Sequence, residues 1–189
     1  NVCGRYLDSP EFTPFFEEAD RRGLLLFVHP MAPPAADMMG EYNTLPIVGF
    51  IFDTTLCVTR LIFSGVFERF PRIRMVVAHL GAAVPYLIGR MDRNYHLREA
   101  CREHILRLPS DYLRRLYLDS IGSDPEALAF AAGKVGADRI VFGTDYPFVK
   151  SIGEAEANVR ESGLENGACE GILKGNALGL LHALGPDAE

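Results

Sequence analysis

Short apolar runs alternate with longer amphipathic stretches along the chain. The runs cover residues 24–28, 73–78, 116–118 and 139–142. Residues 24–28 are continuously apolar, which is typical of a strand that is buried on both faces, as in a parallel sheet. The runs at 73–78 and 139–142 each contain one arginine and are read as strands in the same way. Because a helical stretch separates each run from the next, the pattern predicts parallel β/α units and an α/β fold class.

The stretches between the apolar runs carry helix signals. The predicted helices are, in chain order, residues 10–23, 50–70, 84–106, a segment that opens at Ser123, 151–161 and 166–184. Ser9 is the expected N-cap of the first helix, and Ser123 and Glu126 have the spacing of a capping box. Residues 31–43 are rich in Pro, Met, Ala and Gly and are predicted as a long loop.

Composition is that of an ordinary globular protein and excludes several functional classes. The 189 residues are 48% hydrophobic and 23% charged, so residues 1–189 are expected to form one domain or a large part of one. The net charge of −6 argues against a nucleic-acid partner, and no G-x-G-x-x-G motif follows a strand. Asp53, Arg60, Gly or Pro interrupt the longest apolar stretches, so no membrane span is expected. Four widely spaced cysteines predict free thiols and a cytoplasmic protein.

Each predicted strand ends at a polar residue, and these residues are His29, His79, Asp119 and Asp145. The carboxyl ends of parallel strands share one face, and the catalytic groups of α/β barrels lie there. Imidazole and carboxylate groups are preferred ligands of zinc and similar divalent ions. A metal-bound water beside a spare His or Asp is typical of hydrolases and lyases, so the pattern predicts such a site.

Each of these residues also has a purely structural interpretation. His29 precedes a proline and could cap a loop, and His79 could be a hydrogen-bonded core histidine. Asp119 could form an Asx turn, and Asp145, within Gly-Thr-Asp-Tyr-Pro, could cap a turn. The occurrence of all four at one end of the predicted sheet favours the functional interpretation.

Five motifs follow one another along nearly the whole chain. They are LFVHP at residues 26–30, GFIFDTT at 49–55, GVFERFP at 65–71, AHLGA at 78–82 and FGTDYP at 142–147. Taken in this order, they resemble the amidohydrolase-related family, in the branch of the aminocarboxymuconate-semialdehyde, resorcylate and vanillate-type decarboxylases.

The resemblance implies the C-terminal half, strands five to eight, of a metal-dependent TIM-like (β/α)8 barrel. It implies one divalent metal, zinc in first place and manganese as the alternative, with His29 and Asp145 as ligands. It further implies that His79 and Asp145 are catalytic and that Arg90 binds a substrate carboxylate, for which a guanidinium is well shaped. A surface arginine at a subunit contact is the other interpretation of Arg90.

One departure from the family concerns its first strand. The family supplies a His-x-His pair there, whereas no two of the five histidines here are separated by one residue. A full barrel needs eight strands, and four strands leave two open sheet edges. The N-terminal half of the barrel is therefore expected to be missing from this sequence or to lie on another chain.

The expected function is non-oxidative decarboxylation of a small unsaturated or aromatic carboxylic acid. Phe52, Tyr146, Phe148 and the loop at residues 31–39 are expected to line the pocket, since aromatic walls suit a planar substrate. Two alternatives stay open: a metal-dependent hydrolase of a lactone, ester or amide, and a non-catalytic half-barrel that acts as an assembly partner. The apolar segment at residues 50–70 favours a homodimer.

Overall fold

The structure, a computed structural model, describes residues 1–148 and 151–183 and contains a four-stranded parallel sheet. The strands are β1 Leu25–Val28, β2 Arg74–Val77, β3 Tyr117–Asp119 and β4 Ile140–Val141. They lie in chain order, and every neighbouring pair is parallel. The predicted α/β class and the four predicted strands are confirmed, with strand ends that differ by at most one residue.

Helices precede the sheet, follow it and connect its strands. The α-helices of the described residues are α1 Thr13–Arg22, α2 Phe50–Phe63, α3 Val66–Arg69, α4 Val84–Leu97, α5 Pro109–Leu113, α6 Pro125–Val135, α7 Ile152–Arg160, α8 Asn166–Glu170 and α9 Asn176–His182. The helix predicted over residues 166–184 is divided into α8, a π-helical turn at Gly171–Gly175 and α9. Residue 184 lies outside the described residues.

The register of the sheet shows that one face is buried in the main core and that the other face is only partly covered. Val28, Val77, Leu118 and Ile140 lie side by side across the four strands and are at most 9% exposed. They join the helices in one hydrophobic core. The opposite face is covered only in part. There, Val76 and Val141 pack against Leu180 of α9 in a small second cluster, whereas Phe27 is 57% exposed. In the described part of the chain, β1 and β4 each pair along one edge only.

The helix predicted over residues 50–70 is two helices, α2 and α3. Gly65 separates them with a φ of +72°, in the left-handed region that glycine adopts without penalty. A Cβ at this position would overlap the backbone oxygen of His104. The break therefore depends on a residue about forty positions away, which helix propensity does not reveal.

The helix predicted over residues 84–106 ends with α4 at Leu97. Leu106, at the end of the predicted range, instead forms a hydrogen bond with a side chain of α5. The hydroxyl of Tyr112 accepts hydrogen bonds from the backbone N–H groups of Leu106 and Arg107, at 3.1 and 3.2 Å. Tertiary hydrogen bonds have replaced those that a longer helix would have made.

Two predicted helix starts differ from the observed ones. Asp124 is the N-cap of α6 in place of Ser123, because its side chain accepts the N–H of Glu126 at 3.0 Å. Ser9 occupies the expected N-cap position, but its side chain makes no capping hydrogen bond and a 3-10 turn, Pro10–Phe12, precedes α1. At the start of α6, the capping residue is therefore Asp124 and not the adjacent Ser123.

The segment before β2 corrects two expectations. Residues 31–43 contain 3-10 turns at Ala36–Met39 and Glu41–Asn43. Together with a π-helical turn and α2, the stretch Glu41–Phe63 is long and apolar enough to cross a membrane by length and composition. This is weak support for a span, because core helices of soluble proteins pass the same test and 44% of its most apolar window is buried in the fold.

Candidate metal centre and active site

Three of the four predicted strand-end residues meet at the carboxyl end of the sheet. His29 follows β1 directly, His79 follows β2 after one alanine, and Asp145 follows β4 after three residues. One ligand atom from each lies within 4.8 Å of the others. This is the end of a parallel sheet at which α/β barrels carry their catalytic groups.

The Asp145 carboxylate lies between the two imidazoles. Its Oδ1 is 3.5 Å from Nε2 of His29, and its Oδ2 is 3.8 Å from Nε2 of His79. The two rings have centroids 5.4 Å apart and are tilted by 54°. The His29 side chain is 44% exposed, whereas that of His79 is 15% exposed. His29 therefore faces open space, and His79 forms the deeper side of the cluster.

The donor set fits a divalent cation. Two imidazole nitrogens and a carboxylate are preferred ligands of zinc and are also used by manganese. Burial lowers the pKa of His79, an effect that the neighbouring Asp145 opposes and His29 reinforces. The neutral imidazole that a metal requires is thus favoured. Nδ1 of His79 is buried and has no hydrogen-bond partner among the described residues.

The segments that carry the two histidines are fixed by one helix. The buried carboxylate of Asp53 in α2 accepts hydrogen bonds from the Tyr6 hydroxyl at 3.0 Å and from the N–H of Met31, two residues after His29, at 3.4 Å. Two residues further along α2, the Thr55 hydroxyl accepts the N–H of Ala83 at 3.0 Å. The GFIFDTT motif therefore holds both segments that leave β1 and β2.

Asp119, the fourth strand-end residue, is buried beside the cluster and is 1% exposed. Its Oδ1 accepts the N–H of Ile121 at 3.0 Å, which is the Asx turn that its sequence suggested, and also the N–H of Leu80 at 3.2 Å. Burial raises the pKa of Asp119 to about 7, although its backbone hydrogen bonds act in the opposite direction. Asp119 is thus structural in its contacts and lies next to the functional residues.

A cavity of about 1050 Å³ opens in front of the two histidines and Asp145. Its walls are mainly apolar, and aromatic rings contribute several of them. The wall residues include Met31, Ile47, Phe50, Ile51, Tyr86, Ile121, Phe130 and Phe148. Such a cavity binds a small, largely apolar molecule whose polar end reaches the cluster.

Three predicted substrate contacts lie elsewhere than expected. Phe52 is 60% exposed and does not line the cavity, since the helical turn directs Phe50 and Ile51 there instead. Tyr146 is 84% exposed and borders a second, smaller cavity of about 430 Å³ on the other side of the cluster. Arg90 is on an exposed position of α4 and lines neither of these cavities.

Besides Phe50, two aromatic wall residues were not predicted from the sequence. Tyr86 lies in the first turn of α4, and Phe130 lies near the middle of α6. They are 78% and 45% exposed, which is high for large aromatic side chains in helices that pack on a sheet. The sequence could have indicated both residues, because they lie on the two helices that follow the strand-end residues His79 and Asp119.

A family model described as amidohydrolase matches residues 2–182. The chain belongs to the amidohydrolase family. The resemblance drawn from the five motifs is thereby confirmed, and similar curated proteins carry decarboxylase names. One is the 2-amino-3-carboxymuconate-6-semialdehyde decarboxylase of Dictyostelium discoideum, which is 34% identical over 192 residues. The alignment covers 96% of this chain and 51% of that protein.

Solved structures of decarboxylases share the fold. That of 5-carboxyvanillate decarboxylase LigW from Sphingomonas paucimobilis has a TM-score of 0.87 and 27% identity, over 96% of this chain and 56% of that one. That of dihydroxybenzoic acid decarboxylase from Polaromonas sp. JS666, with bound manganese and the inhibitor 2-nitroresorcinol, has a TM-score of 0.84 and 27% identity, over 96% and 57%. The chain thus spans about half the length of the relatives that it matches, and its parallel sheet corresponds to part of their barrels.

Proposed function

We propose that this chain supplies part of the active site of a metal-dependent, non-oxidative decarboxylase of small aromatic or unsaturated carboxylic acids. The observation that carries the proposal is the meeting of His29, His79 and Asp145 beside a cavity with apolar, partly aromatic walls. The cluster offers ligands for a cation, and the walls suit a planar ring. The decarboxylase names of similar proteins support the same reaction.

His29 and Asp145 are the proposed ligands of one divalent cation. Zinc is the metal that the family resemblance favours, whereas the manganese bound by the Polaromonas enzyme supports manganese. When bound, the cation supplies positive charge that holds the carboxylate or phenolic oxygens of the substrate. Elemental analysis of the purified protein by mass spectrometry distinguishes the two metals.

His79 and Asp145 are the proposed proton carriers. The proton passes to the ring or chain carbon that bears the carboxylate, and the bond to the carboxylate carbon then breaks. The electron pair of that bond restores the unsaturated system of the substrate, and carbon dioxide leaves. Because burial lowers the pKa of His79, its imidazole is neutral at rest and gives up a proton readily once it has been protonated. The site regains the proton from water, so the reaction needs no oxidant or reductant.

Among the described residues, no lysine or arginine lines the cavity, so a cationic side-chain partner for the substrate carboxylate has to come from elsewhere. Arg90 keeps this proposed role only if another subunit presents it, because it lies outside the cavity of its own chain. Tyr146 is retained as a proposed contact at the second cavity, next to Asp145. Phe50 takes the place of Phe52 as the proposed aromatic wall.

We also propose that the sheet is the C-terminal half of a barrel, strands five to eight. The open face with Phe27 and the two edge strands support a partner layer of further strands. That layer would add the His-x-His pair that the histidines of this chain do not form. The chain alone is then expected to hold the metal more weakly than the complete protein.

The decisive experiment supplies the Mn²⁺-loaded protein with 2,6-dihydroxybenzoate, with 5-carboxyvanillate and, separately, with simple lactones. Release of carbon dioxide and accumulation of the decarboxylated phenol are the expected results. Lactone turnover without carbon dioxide would favour the hydrolase alternative instead. Absence of both activities and of stoichiometric metal binding in the complete protein would favour the non-catalytic assembly partner.

A further inference from the structure

The turn that carries His79 has an unusual backbone. Four consecutive residues, His79, Leu80, Gly81 and Ala82, have φ angles of 58°, 54°, 73° and 56°. Three of them carry a Cβ, which disfavours positive φ. Such a run persists only where surrounding groups hold it in place. The chain adopts it at the point where His79 leaves β2 for the cluster.

One buried carboxylate fastens this turn to the next strand. Oδ1 of Asp119, at the end of β3, accepts the N–H of Leu80 within the turn and the N–H of Ile121 in its own loop. Successive N–H groups of a positive-φ turn form a concave site for an anion, and the Asp119 carboxylate lies against it. On the far side of the turn, Thr55 accepts the N–H of Ala83. The turn is therefore held at both of its ends.

Among the described residues, the hydrogen bonds to the Asp119 carboxylate come from backbone N–H groups. Its Oδ2 is buried and has no hydrogen-bond partner among the described residues, and no basic side chain of the described residues forms an ion pair with it within 4.0 Å. Asp119 also borders the smaller cavity, together with His29 and Asp145. Its carboxylate thus lies beside the cluster without serving as one of the three convergent ligands.

We propose that Asp119 is a positioning residue for His79, because its hydrogen bond to the Leu80 N–H fixes the left-handed turn that directs the His79 imidazole toward Asp145. The inference rests on the metal-dependent function proposed above. It requires Oδ1 to accept hydrogen bonds and does not require a proton to bind or leave Asp119. Replacement of a group that orients a metal ligand or base typically lowers metal affinity or activity by about 10–100-fold.

The first test reads the His79 ring directly and needs neither metal nor substrate. The ¹³Cε1–¹Hε1 signal of His79, assigned by its loss in His79→Gln, is recorded for the metal-free protein and for three variants. We expect Asp119→Ala to shift or broaden this signal. Asp119→Asn keeps an acceptor oxygen at the Oδ1 position and is expected to resemble the wild type more closely than Asp119→Ala does. Asp124→Ala removes a carboxylate that caps backbone in the same loop, away from His79, and serves as the matched control.

The second test measures Mn²⁺ binding by titration calorimetry, with 2,6-dihydroxybenzoate turnover alongside. Asp119→Ala is expected to weaken Mn²⁺ binding by about tenfold or more, the effect usual for groups that orient ligands. The reason is that Nε2 of His79 lies 3.8 Å from Oδ2 of the proposed ligand Asp145, so a displaced His79 no longer holds that carboxylate in place. A folded Asp119→Asn that lost affinity as fully as Asp119→Ala would overturn the proposal, since Asn retains the acceptor. So would an unchanged His79 signal in Asp119→Ala, or an equal loss in Asp124→Ala.

The two proposals fail in different ways. Wild-type protein that binds Mn²⁺ but releases no carbon dioxide would reject the decarboxylase, while the His79 signal and Mn²⁺ affinity would still decide the role of Asp119. If Asp119→Ala does not fold, the comparison of Asp119→Asn with the wild type decides alone. A displaced His79 signal in folded Asp119→Asn would then reject the acceptor role, and a retained signal together with retained Mn²⁺ affinity would support it.

Discussion

At the scale of single residues, the two histidines of the cluster differ in solvent exposure, and this difference suits them to different roles. Asp145 lies between the imidazoles, within 3.5 Å of His29 and 3.8 Å of His79. The more exposed His29 can reach a cation that also contacts a ligand in the cavity, whereas the more buried His79 is shielded from water. A single carboxylate thus couples an open ligand to a sheltered proton carrier.

Replacement of the central carboxylate should abolish tight metal binding. Asp145→Asn removes the negative charge while it keeps the size of the side chain, and we expect Mn²⁺ affinity to fall by more than about 100-fold, beyond the range usual for groups that only orient ligands. Titration calorimetry on the complete protein measures this change. Asp138→Asn, which neutralises an exposed carboxylate near the other end of β4, should leave the affinity unchanged. Equal affinity in Asp145→Asn would remove Asp145 from the ligand set.

At the scale of elements, glycine determines where helices must end. Gly65 has a φ of +72°, and a Cβ there would overlap the backbone of His104. We expect Gly65→Ala to lower the free energy of unfolding by at least about 1–3 kcal/mol, the range for a strained backbone residue. Urea denaturation provides the measurement.

The control for this prediction is another glycine of the same fold. Gly89 lies within α4, and an added Cβ would meet no atom within 4 Å. Because alanine favours helices, Gly89→Ala should stabilise the protein by about 0.5–1 kcal/mol. Similar changes in the free energy of unfolding for Gly65→Ala and Gly89→Ala would contradict the role assigned to the positive φ of Gly65 and to its close approach to His104.

A hydrogen bond between α3 and α5 gives stability a defined pH dependence. The Tyr112 hydroxyl donates to the Glu68 carboxylate and thereby lowers the pKa of Glu68, and the Leu106 N–H adds to this effect. A carboxyl group whose pKa is lower in the folded state stabilises the protein above its unfolded pKa of about 4.3, and this contribution is lost as the pH falls through the folded value.

Glu68→Gln should therefore reduce the melting temperature more at pH 7 than at about pH 3.5, below the ordinary pKa of glutamate. Thermal unfolding followed by circular dichroism at both pH values tests this. Glu103→Gln changes an exposed glutamate in the neighbouring loop and should have little effect at either pH. A deficit of Glu68→Gln that grew as the pH fell would contradict the assigned sign.

The sequence predicted the elements better than it predicted their contacts. The four strands were recognisable because continuous apolar runs such as residues 24–28 have few alternatives to a buried strand. Their polar ends followed directly, since parallel strands share one functional face, and three of the four residues do converge. The link from Asp119 to Leu80 joins positions 39 residues apart, and nothing local to either residue signals it.

Helix faces were the weakest part of the sequence interpretation. Within GFIFDTT, the aromatic at 52 was assigned to the pocket, but a rotation of about 100° per residue means that neighbours in a helix face different surroundings. The start and phase of α2 depend on the π-helical turn before it, Leu45–Gly49, which the sequence pattern did not indicate. Phe50 and Ile51 reached the cavity as a result.

At the scale of the whole molecule, one face of the sheet is covered by helices and the other is only partly covered. Helices cover the outer face of the sheet in a continuous core. The inner face is covered only in part, by the packing of Leu180 on Val76 and Val141. Phe27 on that face remains 57% exposed, and both edge strands lack a second neighbour among the described residues. The candidate metal centre lies at the end of this open face. In the proposed barrel, the strands that would cover this face would therefore also bring the His-x-His pair to the metal centre.

A second open surface lies on the outside of α2 and supports the proposed homodimer. Phe52 and Leu56 are four residues apart on one side of α2, and Val48 lies in the π-helical turn that leads into it. The three are 60%, 45% and 39% exposed and are named here the α2 stripe. Exposed apolar patches of this kind are characteristic of protein interfaces. We expect the wild-type protein to be a dimer and Phe52→Asp to be a monomer, because a buried, unpaired carboxylate at the contact is costly.

Light scattering coupled to size-exclusion chromatography measures the mass of each variant, and far-UV circular dichroism verifies that Phe52→Asp remains folded. Leu106→Asp is the matched control, since Leu106 is equally apolar and 84% exposed but does not belong to the stripe. It should leave the dimer intact. A monomeric wild type, or a dimeric Phe52→Asp, would exclude the α2 stripe as the interface and with it the presentation of Arg90 by a subunit that docks there.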